Sequence, residues 1–145
     1  MNLMALQPED LIVHLIKRVR QELDRTLLAL PVRLTRLQFG VLYALRSLDT
    51  RAATITELAH LSCVEPPTLV AAVHQLEQKK LVTKVRDRTD RRRLPIRLTP
   101  QGLRLLGAIP HPASPLLKTV RQKAGAKKMK IFIEVLTLFT QDTRD

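Results

Sequence analysis

The sequence predicts a mainly α-helical chain with one small β hairpin. Three observations lead to it. Apolar residues recur at helical spacing over most of the length, threonine capping boxes and first-turn prolines mark several helix starts, and one alternating, strongly basic stretch interrupts the helices near residues 81–98. With 145 residues and 45% hydrophobic content, the chain has the material for a single domain, 1–145, with a real core.

The first helix is expected over 8–30. Pro8 fits a first turn, Glu9 and Asp10 complement the positive helix end, and Pro31 stops the run. Its row Leu11, Leu15, Val19, Leu23 and Leu27 repeats every four residues, while Ile12, Ile16 and Leu28 widen the apolar face beyond what one neighbour covers. That excess points to a second partner such as another subunit. Thr35 with Gln38 opens a second helix whose buried stripe is Leu37, Val41, Leu45 and Leu48, and Asp49 to Ala53 reads as a polar connection. Thr54 with Glu57 opens a short third helix to about Ser62, with Leu58 and Ala59 inward.

After the turn Cys63-Val64-Glu65, Pro66 starts a fourth helix lasting to about Lys80. Leu69, Val73 and Leu76 share one face; Pro67, Thr68, Ala71, His74 and Gln75 occupy the other. The segments 81–86 and 94–98 then alternate apolar and polar residues around a basic tip, as a hairpin does. Thr99 caps a fifth helix, which Pro110, Pro112 and Pro115 interrupt before a last amphipathic run of Met129, Phe132, Ile133, Leu136 and Phe139. Lys127, Lys128 and Lys130 precede most of that run, where the helix dipole disfavours them, so they are expected to be exposed.

A formal net charge of +12 and a pI near 10.9 call for a polyanionic partner, either nucleic acid or an anionic membrane surface. Aromatic residues make up only 3% of the chain and tryptophan is absent, which disfavours binding single strands by stacking bases and leaves duplex binding. The chain has neither a long apolar run nor a basic segment followed by an apolar one near Met1, so no membrane partner and a cytoplasmic location are expected. The single Cys63 cannot form an internal disulfide and reads as a small buried thiol. His60 and Cys63 make one pair where structural zinc takes four ligands, so neither a metal nor a cofactor is expected. Nor does any glycine-rich phosphate loop, H-E-x-x-H or nucleophile motif argue for an enzyme.

Two short helices joined by a short turn form the unit that places a second helix in the DNA major groove. Here a hairpin follows directly, and residues 79–104 hold ten basic residues against two acids, Asp87 and Asp90. The chain resembles the MarR family of winged helix-turn-helix regulators. The resemblance rests on Leu34-Thr35 with Gln38-Phe39 and Leu42; Glu57-Leu58-Ala59; Leu76-Glu77 with Leu81-Val82; and Asp90-Arg91-Arg92 with Ile96, Leu98-Thr99 and Gly102. It covers 34–106 by motif and the flanking helices by order and length.

The resemblance implies a fold that is mainly α with a small β wing: a winged helix-turn-helix core over 34–106 and dimerisation helices over 8–30 and 107–141. It further implies a homodimer acting as a sequence-selective, double-stranded DNA-binding transcriptional regulator, most simply a repressor. The expected DNA-binding residues are Pro67, Thr68, Ala71, His74 and Gln75 on the recognition helix and Arg86, Arg88, Arg91, Arg92 and Arg93 on the wing. Arg92 would enter the minor groove, and Asp90 would brace the wing by pairing with a nearby arginine. Family members commonly respond to small aromatic or anionic effectors, which makes Arg18, Phe39 and Tyr43 pocket candidates; the same residues read equally as core and surface.

The chain departs from the family pattern in several places. Ala71 stands where many relatives carry a basic residue, the recognition helix opens with Glu65-Pro66-Pro67, Lys80 replaces a helix-end glycine, Ser62 replaces a core leucine, and Pro95 removes a strand donor. Base readout is therefore sparse, with Gln75 to adenine and Thr68 to a thymine methyl the leading contacts. The alternative function is a non-sequence-specific architectural or protein-binding winged-helix protein. A membrane-surface role for the basic segments is a third.

Overall fold

The computed structural model describes residues 6–140, apart from positions 88 and 91. Six helices and three short strands follow in order: α1 (Pro8–Leu28), α2 (Arg36–Ser47), β1 (Ala52–Ala53), α3 (Ile55–Leu61), α4 (Pro66–Gln78), β2 (Val82–Lys84), β3 (Ile96–Leu98), α5 (Pro100–Gly107) and α6 (Ser114–Thr140). The chain is mostly helical with a small antiparallel sheet, as the sequence predicts. It forms two compact units, one of residues 23–110 and the other of the first part of α1 with α6.

The larger unit closes around α2. Val41, Leu42 and Leu45 of that helix are fully buried against Leu58 of α3, Leu69 and Leu76 of α4, Ile96 of β3 and Leu106 of α5. Each such leucine contributes roughly 1.5–3 kcal/mol by leaving water. Leu23, Leu27, Leu30 and Leu34 pack against the edge of this core. The two capping boxes form as their spacing requires, with Thr35 accepting from the Gln38 backbone N–H and Thr54 from that of Glu57.

The helix-turn-helix is closed by two left-handed residues. After α3 the Val64 N–H reaches the Ala59 carbonyl at 3.1 Å with Cys63 at φ 52°, and after α4 the Leu81 N–H reaches Leu76 at 3.0 Å with Lys80 at φ 58°. Both are Schellman endings, which ordinarily place glycine at the left-handed position. This geometry turns Cys63 outward, so the thiol is exposed and not buried as its small size suggested. It also ends α4 at Gln78, two residues before the expected Lys80. Replacing Lys80 with glycine removes the left-handed strain; we expect a gain of about 1 kcal/mol, read as a raised urea midpoint.

α1 stops at Leu28, short of the expected Leu30, because the approach to Pro31 disfavours helical geometry. The half-buried Ser62 has its hydroxyl oxygen enclosed without a hydrogen-bond partner, the cost of a polar side chain where relatives are expected to carry leucine.

The sheet has the order β1-β3-β2, both pairings antiparallel, with Ala52 opposite Arg97 and Thr83 also opposite Arg97. The strand at Ala52–Ala53 was not expected; its segment reads as a polar connection because two residues show no alternation. The hairpin strands are shorter than the alternating runs. Pro95 cannot donate, yet its carbonyl accepts the Val85 N–H at 2.9 Å, so pairing continues weakly past the strand end.

In the smaller unit, Pro115 lies at the start of α6 and Gly125, at φ 78° and ψ 171°, breaks that helix. Lys127, Lys128 and Lys130 are exposed, as expected from their position. The last residue of the expected span 107–141, Gln141, lies outside the described residues. No helix among the described residues is long and apolar enough to cross a membrane.

Candidate nucleic-acid interface

The exposed face of α4 carries Pro67, Thr68, Ala71, His74 and Gln75, all five solvent-facing as the spacing predicts. Burying Leu69, Ala72, Val73 and Leu76 on the opposite face leaves them no other orientation. α4 contains no lysine or arginine, so its face offers hydrogen bonds and shape without charge. The His74 ring nitrogen Nε2 and Gln78 Nε2 lie 3.1 Å apart. Gln75 is not free in both halves of its amide, because its Oε1 accepts from Nε2 of the buried Gln38.

The wing supplies the charge. Arg86, Arg92 and Arg93 are exposed; Arg88 and Arg91 lie outside the described residues. Arg93 Nη2 donates to Glu57 Oε1 at 3.0 Å, tying the wing to the first turn of α3. Lys84 Nζ lies 2.9 Å from Glu77 Oε2 and ties β2 to α4 in the same way. Both links are solvent-accessible ion pairs, with Glu77 half-buried, and contribute roughly 0–1 kcal/mol each, so they orient more than they stabilise.

The acids shape the wing through its backbone. Asp87 Oδ1 accepts from the Thr89 N–H at 2.8 Å, the Thr89 hydroxyl at 2.7 Å and the Asp90 N–H at 3.3 Å. These bonds, led by the Thr89 hydroxyl, hold the Asp87 carboxyl below the usual aspartate range. Asp90 Oδ1 accepts the Arg92 N–H at 2.9 Å, and the Asp90 carbonyl accepts the Arg93 N–H at 3.0 Å. The described contacts of Asp90 are thus to the tip's own backbone, and among the described residues an arginine-to-acid link of the wing runs from Arg93 to Glu57.

Glu57 also receives the Thr54 backbone N–H at 2.7 Å. That bond first, then the Thr54 hydroxyl and Arg93, holds its carboxyl below the usual glutamate range. Because the folded state has the lower pKa, this stabilisation is present above the ordinary glutamate value and is lost as the pH falls through and below it. We expect the urea midpoint to fall between about pH 6 and about pH 3, and Glu57→Gln to fall less steeply. Identical pH profiles would argue against the assignment.

Of the pocket candidates, the structure brings two together. Phe39 is 3% exposed and belongs to the core, and the half-buried Tyr43 ring lies 4.7 Å from it at a 49° tilt. The Arg46 guanidinium sits 5.8 Å from the Tyr43 centroid, within cation–π range. Burial holds the Tyr43 phenol above its ordinary pKa against the opposing pull of Arg46. Arg18 is exposed on α1 in the other unit. An open groove of about 500 Å³ lies elsewhere in the larger unit, lined by Asp24, Leu27, Leu28, Leu30, Arg33 and Leu34.

The MarR family model matches residues 34–94, which run from just before α2 through the wing tip. Over that stretch the chain is similar to the winged helix of the MarR family. Solved structures with the same fold include a MarR family protein from Bacillus stearothermophilus, 23% identical with a TM-score of 0.75 over 94% of this chain and 93% of that one. NadR in complex with 4-hydroxyphenylacetate is 21% identical with a TM-score of 0.71, covering 98% and 97%. BpsR of Bordetella bronchiseptica, whose DNA binding is regulated by 6-hydroxynicotinic acid, is 22% identical with a TM-score of 0.59, covering 90% and 98%. No curated protein matches the chain by sequence. At these identities the likeness to the solved structures is one of fold.

The roles of two residues of this segment escaped sequence reasoning. Gln38 was legible as a capping residue but not as the partner of Gln75, and Glu57 as a cap but not as the anchor of Arg93. Asp87, read from the sequence with Asp90 as a wing-bracing carboxylate, lies in an Asp-x-Thr turn pattern in which the carboxylate accepts the N–H two residues on.

Proposed function

We propose that this chain is a homodimeric, sequence-selective double-stranded DNA-binding transcriptional regulator, a repressor whose binding responds to a small aromatic or anionic effector, and not an enzyme. The observation that carries it is the pairing, in one compact unit, of an exposed uncharged helix face on α4 with a basic wing anchored to the same helix pair through Glu57 and Glu77. A helix face without charge reads bases by hydrogen bonding, and the flanking cations supply affinity for phosphate. In this reading Pro67, Thr68, Ala71, His74 and Gln75 face the major groove, while Arg86, Arg88, Arg91, Arg92 and Arg93 serve the flanking backbone and minor groove.

Dimerisation through α1 and α6 accounts for the apolar side chains these helices leave in solvent, including Ile12, Val13 and Ile16 on α1 and Ile131, Ile133 and Phe139 on α6. The effector response is supported by two proteins of the same fold, one solved in complex with 4-hydroxyphenylacetate and one whose DNA binding is regulated by 6-hydroxynicotinic acid. Phe39 and Tyr43 would then form one wall of the effector site.

Selection of bound sequences from a random duplex pool at near-physiological salt tests this function. The expected result is an enriched inverted repeat with half-sites about one helical turn apart, roughly 34–36 Å. The absence of basic residues on α4 favours one rival, an architectural or protein-binding winged helix, for which the same selection enriches nothing.

A further inference from the structure

Gln38 is the only polar residue among the buried side chains described, 2% exposed, and it sits at the junction of α2 and α4. Its amide is oriented from one side. The Thr35 backbone N–H donates to Gln38 Oε1 at 3.1 Å, and an N–H can only donate, so the oxygen must face the start of α2. The amino group then faces α4, where Nε2 donates to Gln75 Oε1. Gln75 is in turn oriented, with its oxygen held inward and its NH₂ left to the exposed face of the helix.

We infer that Gln38 is a specificity-positioning residue: through the relay Thr35, Gln38, Gln75 it makes Gln75 present hydrogen-bond donors to the major groove. This rests on the DNA-reading function proposed above. A glutamine reads adenine by using both ends of its amide, donating to N7 and accepting from the N6 amino group. With its oxygen engaged by Gln38, Gln75 matches an edge that only accepts, and guanine presents two such acceptors, O6 and N7. The base opposite Gln75 is therefore guanine and not the adenine that the residue type alone suggests.

Reversing the relay makes the inference testable. In Gln38→Glu, one carboxylate oxygen still accepts the Thr35 N–H and the other accepts from Gln75, whose amide must rotate and turn its oxygen outward. The base favoured at that position should change from guanine to one bearing an amino group, adenine or cytosine. Gln38→Met fills the same space without directing Gln75 and should flatten the preference at that one base pair.

The experiment is duplex-pool selection with the wild-type chain and the Gln38→Glu, Gln38→Met and Gln75→Ala variants in parallel. The expected result is a guanine preference of about tenfold at one pair of each half-site, exchanged in Gln38→Glu and lost in the other two, with the remaining motif unchanged. The unchanged remainder reports that each variant is folded and bound. If Gln38→Glu fails to fold, Gln38→Met decides alone. A wild-type motif that keeps the same base at every position in both Gln38 variants overturns the relay and leaves the DNA-reading function standing. A wild-type chain that enriches no motif overturns the DNA-reading function itself, and the relay with it.

Discussion

Gly102→Ala should destabilise the protein by about 2 kcal/mol or more, although alanine is the better helix former. A methyl group on Gly102 would lie 2.3 Å from the Leu81 carbonyl oxygen and 3.2 Å from a Leu98 methyl. The carbonyl cannot turn away, because it accepts the Thr99 N–H at 3.1 Å. Thr99 is itself fixed at both ends: its hydroxyl donates to the Lys80 carbonyl at 2.7 Å and accepts the Gly102 N–H at 3.1 Å. The Leu-Thr-x-x-Gly pattern is thus one knot joining the end of α4, the last wing strand and the first turn of α5. Overpacking it should separate α5 from the sheet, read as a lower urea midpoint with an unchanged slope. An unaltered midpoint would show that α5 can shift away at no cost.

Replacing Arg92 with alanine should weaken duplex binding about tenfold at sites flanked by A-tract minor grooves and much less elsewhere, since a narrow groove concentrates negative potential. The salt slope should drop by roughly 0.9, the value for one phosphate-region contact. Arg93, one residue on, should behave differently. Its guanidinium is already on Glu57, so Arg93→Ala should loosen the wing and lower affinity on every sequence alike, with a smaller change in slope. Binding isotherms for both variants at several salt concentrations, on an A-tract and a mixed-sequence duplex, distinguish the two roles. Matching behaviour in the two variants would reject the division between contact and tether.

The helix starts were legible because capping is local chemistry. Thr35 with Gln38 and Thr54 with Glu57 satisfy backbone groups within one turn, and the structure forms both boxes. The wing was legible as charge and alternation, and the recognition face as the complement of a buried stripe. Helix ends were read two residues too long at Leu30 and Lys80, since a proline's effect on its predecessor and a left-handed lysine are set by backbone geometry that side-chain periodicity does not record. Cys63 was misjudged for the same reason: its burial depends on the direction of a left-handed turn and not on the size of its side chain.

By itself the sequence determined the order of elements, the inward and outward faces of α4, the basic wing and the family pattern that joins them, because each is encoded in spacings of a few residues. Only the tertiary structure decided what those residues do to one another. Arg93 and Glu57 are 36 positions apart and Gln75 and Gln38 are 37 apart, and no local periodicity links them. Packing α2 against α4 and the wing against α3 brings these groups within hydrogen-bond reach. In doing so it turns two capping residues into the anchor of the wing and the partner of Gln75.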